Sequence, residues 1–299
     1  MKSNKLYVLI FASQPNCFTL KKQSITNTII RNKMKNKYLF LLPLLGGLIL
    51  ASCGMGTAKK QAHDEATEEV EVVADNTLSE KEKAEGWILL FDCKTFTGWR
   101  GYGRTDVPSA WSVDNGAIKI NGSGQGEAGA EDGGDIIFDQ KFQNFELKFD
   151  WKVSEGGNSG VFYLAQEIED LPIWRSSPEY QVLDNVNHLD ARLGVDGNRQ
   201  SASLYDLIPA KPQNSNPFGE WNTGSIIVYK GTVIHGQNGA NVVEYHLWTP
   251  EWAQMLENSK FAGWEEMLNA GGENREGYIG LQDHGDDVWF RNVKLKVLK

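Results

Sequence analysis

The sequence predicts an all-β domain, a sandwich of two packed antiparallel sheets with one or two short helices. Three observations predict it. Apolar and polar residues alternate with period two in many short segments, and Gly, Asn and Asp clusters separate those segments. All ten Trp of the 299-residue chain lie after residue 86, so the aromatic core material sits in that part. No strand–helix alternation accompanies a phosphate-cradling glycine loop, which excludes a nucleotide-binding α/β fold.

Taken in order, strand patterns occupy residues 87–91, 111–113, 118–120 and 136–138. The clearest follows at 145–153, where Phe145, Leu147, Phe149, Trp151 and Val153 share one face and charged residues the other. Further strands are expected at 160–165, 180–183, 225–229, 232–235, 242–248 and 278–281, and at the C-terminal alternation of Val293, Leu295 and Val297. Lys230-Gly231 and Asn238-Gly239 are hairpin turns. One helix interrupts: Thr249 caps it, Pro250 opens it, and Trp252, Met255 and Leu256 share a side. Many strands and little helix in one body of over 200 residues point to a jelly roll or a relative of it.

The N-terminal region reads as an address. From Met34 a basic start is followed by an uncharged run, Tyr38 to Leu50, and then Ala51-Ser52-Cys53. The run is shorter than the roughly 20 residues that span a bilayer. Leu50-Ala51-Ser52-Cys53 resembles a bacterial lipobox, which implies lipid on Cys53. Residues 34–53 are therefore read as a lipoprotein signal peptide, and residues 1–33 as an extension upstream of the functional start at Met34. Residues 54–85 carry nine acids and no aromatic, which predicts a solvated linker with helical character near 78–84. The domain is expected over 86–299, in a cell-envelope lipoprotein of the periplasm or outer membrane that touches the membrane through its lipid alone.

Charge narrows the partners. Residues 1–53 hold eight Lys/Arg and no acid, so the remaining 22 basic and 39 acidic residues give 54–299 a formal net charge of −17. Such a surface repels a phosphate backbone, and nucleic acid is not expected as a partner. Cys93 is the one cysteine of the domain, which excludes an internal disulfide and a thiolate metal cluster. No cofactor is expected. His188, His235, His246 and His284 lack close spacing, so zinc would need ligands from distant loops. Calcium on loop carboxylates, for instance Asp283, Asp286 and Asp287, stays open.

Abundant Trp suits a carbohydrate ligand, because indole faces grip sugar rings while amides and carboxylates bond hydroxyls. Trp221, after the proline-rich loop 209–217, is the cleft-wall candidate, with the core as its other place. Glu179, Gln181 and Leu183 share one strand face, and Tyr180 and Val182 the other. Glu179 and His284 are the candidates for proton transfer, with an exposed strand face the alternative for Glu179 and a turn-stabilising or exposed loop position the alternative for His284. Asn158, Gln181, Asp184, Gln282 and Arg291 are candidates for binding ligand oxygens. For Arg291 a structural carboxylate is the alternative partner, and for Asn158 a loop cap. His235 and Asn238, flanking a hairpin turn, are further binding candidates. Laminarinase-type glycosidases place acids at alternate positions of one strand, but here Gln181 occupies the middle position and no second Glu follows. That strand does not supply a retaining pair by itself.

Six ordered motifs carry a family resemblance: Trp87–Asp92 with Gly98-Trp99, Gly157–Phe162, Glu179–Asp184, Glu220-Trp221-Asn222, Ser259-Lys260-Phe261, and Gly280–Gly285 through Phe290-Arg291-Asn292. Together they resemble the 3-keto-disaccharide hydrolase domain family over residues 86–299. Cys93 departs from the family's Phe-Asp-Gly-Lys turn. The resemblance implies a concanavalin-like sandwich that acts on glycosides already oxidised at C3. It implies cleavage by C2 proton removal, elimination of the C1 substituent and hydration, with Glu179 and His284 as base and acid in unassigned order. A conventional glycosidase and a non-catalytic sugar-binding lipoprotein are the alternatives.

Overall fold

The computed structural model describes residues 74–126 and 129–299. The expected extension, signal peptide, lipid-bearing Cys53 and acidic stretch up to residue 73 lie outside them. Among the described residues, thirteen strands form two antiparallel sheets. The smaller runs, in spatial order, β2 (Trp99–Gly101), β5 (Ile136–Phe142), β12 (Gly277–Leu281), β7 (Asn158–Ala165) and β8 (Glu179–Leu183). The larger runs β11 (Ala240–His246), β10 (Thr232–Gln237), β9 (Asn222–Tyr229), β6 (Phe145–Val153), β13 (Val288–Val297), β4 (Ala117–Ile120) and β3 (Trp111–Asp114). β1 (Trp87–Leu89) pairs with the Lys294–Lys296 half of β13. The architecture is the predicted concanavalin-like sandwich of the jelly-roll type.

The central strand β6 alternates buried and half-buried residues along its whole length, as its sequence predicts. Its inward residues meet the other sheet in one core that includes Val161, Tyr163, Tyr180 and Val182; Phe149 packs edge-on to Tyr180 with ring centroids 5.2 Å apart. Each large apolar side chain buried there contributes about 1.5–3 kcal/mol. Lys230-Gly231 and Asn238-Gly239 both have positive φ, the signature of the expected tight hairpins. The Thr249 hydroxyl accepts the Trp252 amide and caps α2 (Pro250–Glu257). Two further short helices occur, α1 (Glu80–Ala84) and α3 (Glu265–Leu268), one more than expected. Cys93 is buried with φ 65°, a left-handed conformation that accounts for glycine being usual in that turn.

The described part of the acidic stretch is no free linker. Residues 74–85 are held on the large sheet: Asn76 and Asn292 exchange backbone and side-chain hydrogen bonds, Asp75 pairs with Arg291, and Lys294 with Glu82. Opposite charges fixed on β13 give those acids partners that composition alone does not reveal.

The strands that carry the site, β7 and β8, are buried on both faces. The inner face meets the core. On the outer face, Ile173 of the 3₁₀ turn Ile173–Arg175 packs with Phe162, Ile137 and Ala165. The free edge of β8 is closed by chain 202–205, which exchanges backbone hydrogen bonds with Gln181 and Glu179. That cover removes an exposed strand edge and builds a wall beside the cleft.

Candidate active site

A cleft of about 440 Å³ opens on the outer face of the smaller sheet. Its floor is β8, where Glu179 and Gln181 point outward while Tyr180 and Val182 point into the core. One wall is polar, from Asn158 at the start of β7, Asp135 before β5, and Gln282, Asp283 and His284 just after β12. The opposite wall is aromatic, from Trp174, Phe261 and Trp264. Trp174 and Trp264 stand 5.3 Å apart, Phe261 meets Trp264 edge-on at 5.0 Å, and the Arg175 guanidinium covers Trp264 at 4.4 Å. An Arg175–Glu266 ion pair at 3.0 Å ties the two segments together. Trp174 keeps 43% of its surface exposed, which leaves an indole free to meet a ligand.

Burial dominates the electrostatics of the cleft. Burial raises the Glu179 carboxyl to about 8, Lys260 opposes the shift, and Asp135 and Asp190 add to it. No hydrogen-bond donor among the described residues reaches its oxygens. Burial likewise raises Asp135 to about 7, against a 2.9 Å hydrogen bond from the Asp283 amide and with the Asp283 charge adding. Lys260 lies over the Tyr205 ring at 4.1 Å, and burial lowers its pKa. Six buried side-chain polar atoms among the described residues lack a partner, and three line this cleft: Asn158 Oδ1, Gln282 Oε1 and His284 Nδ1. Orphaned groups converging in one hollow are free to bond a ligand or water there.

Of the residues singled out in the sequence, Glu179, His284, Asn158, Gln181 and Gln282 come together here. Asp184 lies one step away, where its carboxylate accepts the amides of Gly156, Val186 and Asn187 and holds the turn. The other four lie elsewhere. Trp221 carries the Arg291 guanidinium at 4.1 Å on the outer face of the larger sheet. Arg291 pairs there with Asp150 at 3.1 Å and Asp75 at 2.7 Å, the structural partnership the sequence left open. Asn238 bonds Thr223, Asn222 and Asn214 beside a second, polar groove of about 430 Å³ on that sheet. His235 is fully buried between the sheets. Its Nδ1–H donates to Ala202 O at 2.9 Å, so Nε2 accepts the Tyr163 hydroxyl at 2.7 Å, which in turn accepts from Tyr245. Burial lowers its pKa to about 4.

Sequence reasoning missed Trp174 and Trp264 of the aromatic wall, Asp135 and Tyr205, which come from segments whose fold-back no periodicity announces. Lys260 and Phe261 stood in a motif without a role of their own, and His188 was weighed only as a zinc ligand. Of the carboxylates considered for calcium, Asp283 accepts the amides of Ala130, Gly134 and Gly285, and Asp287 takes the Gly122 amide and Lys119.

The chain has relatives among known proteins. A family model described as a 3-keto-alpha-glucoside-1,2-lyase-like domain matches residues 86–296. A 3-keto-disaccharide hydrolase of Bacteroides thetaiotaomicron is 54% identical over 289 residues, covering 89% of this chain and 100% of that protein. A candidate glycosyl hydrolase of Parabacteroides distasonis, solved by crystallography, superposes with TM-score 0.66 at 31% identity, over 76% of this chain and 100% of that one. A second candidate from the same organism, at 24% identity and TM-score 0.55, covers 71% of this chain and 99% of its own and shows the shared fold. The chain belongs to the 3-keto-α-glucoside-1,2-lyase-like domain family and is a hydrolase of that family.

Proposed function

We propose that the protein cleaves the glycosidic bond of 3-keto-glycosides, 3-keto-disaccharides among them, by elimination and hydration in this cleft. A ketone at C3 acidifies the C2 proton. A base removes it, giving an enolate; its collapse expels the C1 oxygen, which takes a proton and leaves as an alcohol. Water then adds at C1 of the enone while C2 regains a proton. This route needs one base, one acid and groups that hold the enolate oxygen, with no carboxylate nucleophile.

The observation that carries the reading is the pairing of Glu179, raised to about 8, with the unpartnered Nδ1 of His284 in one cleft. A carboxyl with that pKa holds its proton at neutral pH and serves as the acid. The free imidazole nitrogen serves as the base. Asn158, Gln181 and Gln282 bond the sugar oxygens, Lys260 supplies positive charge for the enolate, and the Trp174–Trp264 wall packs against a ring. The 54% identical relative named for 3-keto-disaccharides supports this substrate class. A conventional two-carboxylate hydrolysis is the second reading, favoured by Asp135 as another acid in the same cleft.

The test is turnover of a glucoside against its 3-keto analogue. Cleavage of the keto compound alone is expected. Cleavage of the plain glycoside would favour the second reading, and binding without cleavage a sugar-binding role. By the Leu50–Cys53 motif we also place the protein in the cell envelope as a lipoprotein; labelling of Cys53 with a radioactive fatty acid tests that, and no label on the wild type would refute it.

A further inference from the structure

His188, His284 and Asp286 come from two separate loops, yet their donor atoms all lie within 4.8 Å of one another. The imidazole centroids are 5.9 Å apart, with the rings nearly perpendicular. Asp286 is oriented by the Asn158 amide, which donates to its Oδ2 at 3.1 Å. His284 presents a buried Nδ1 without a partner. Two imidazoles and one carboxylate on a cleft that admits further ligands form the donor set of an open transition-metal site. Donors around one such ion, at about 2 Å from it, lie about 3–4 Å from each other, so closure by about an ångström suffices.

We propose that His188, His284 and Asp286 form a binding site for a borderline divalent transition-metal ion such as Zn²⁺, occupied in competition with proton transfer at His284. Nitrogen donors favour such an ion over Ca²⁺ or Mg²⁺. The second half of the proposal rests on the base role given to His284 above. A metal takes the lone pair of one ring nitrogen and fixes the proton on the other, so a ligated imidazole no longer accepts the C2 proton. His188 Nδ1 accepts the Asp190 amide at 3.1 Å in the ion-free structure. Binding through either His188 nitrogen gives up that single neutral hydrogen bond, a small loss beside a metal–nitrogen bond. The sequence had set zinc aside because ligands would have to come from distant loops; the fold brings those loops together.

The experiment titrates the chelator-treated protein with Zn²⁺ and Co²⁺ in the absence of substrate and counts bound metal by mass spectrometry. One ion per chain is expected, with Co²⁺ giving visible ligand-field bands. His188→Ala and Asp286→Asn, checked for folding by thermal melting, should each weaken binding by about tenfold or more and abolish the bands. No stoichiometric binding, or binding that both variants keep, would overturn the site. In a separate assay, turnover should fall with the Zn²⁺ binding midpoint and survive the same Zn²⁺ in His188→Ala. Bound metal that leaves wild-type turnover unchanged would overturn the competition and fault the role of His284, while leaving the site standing.

Discussion

Gly160 leaves the space that the Glu179 carboxyl occupies: a β-carbon on Gly160 would stand 2.2 Å from Glu179 Oε1. The two residues sit on paired strands, β7 and β8, with Gly160 in register with Gln181. A methyl group there displaces the Glu179 side chain from Cγ outward rather than the backbone of the sheet. Gly160→Ala should therefore fold, with its melting temperature within a few degrees of wild type, and lose about 10²-fold in turnover as Glu179 is turned away. Wild-type turnover in that variant would detach Glu179 from the chemistry.

The burial that raises Glu179 also destabilises the fold. In the unfolded chain the carboxyl titrates near its ordinary 4.5, and in the folded protein near 8. Between those values only the unfolded state releases the proton, so this group lowers stability as pH rises through that window and adds nothing to the slope above it. Glu179→Gln should gain about 1–3 kcal/mol over wild type at pH 8 and far less at pH 4, while losing about 10²-fold in rate. Denaturant melts of both proteins at the two pH values check this.

The aromatic wall predicts a split between binding and chemistry. Trp174→Ala removes an exposed face and leaves the proton-transfer groups untouched. KM for a keto-glycoside with a ring-sized leaving group should rise about tenfold while kcat changes little. Equal KM for variant and wild type would remove Trp174 from ligand contact.

Arg291 and Trp221 should behave as structure. Arg291→Ala breaks two ion pairs and a stack on the outer face of the larger sheet. A loss of about 1–2 kcal/mol is expected in thermal or denaturant melts, with turnover within twofold of wild type.

Strands were legible where one face is buried, as in β6, because period two survives there. Both-face burial hides that signal in β7 and β8, yet the alternation of Glu179 and Gln181 with Tyr180 and Val182 still told which side chains share a face. The polar wall was legible through Asn158, Gln282 and His284. Trp221 and Arg291 misled because conspicuous residues near motifs look alike whether they face a ligand or each other. His188 and His284 illustrate the remaining limit: ninety-six positions apart in sequence, their meeting depends on two loops that carry no local pattern.

The central claim is that a proton leaves and returns at C2 during cleavage. The most direct measurement runs the reaction on a 3-keto-glycoside in D₂O and reads the freshly released sugar by NMR, before background exchange. One deuterium at C2 is predicted, with its formation abolished in His284→Ala. Released sugar that keeps its original C2 hydrogen would contradict the account.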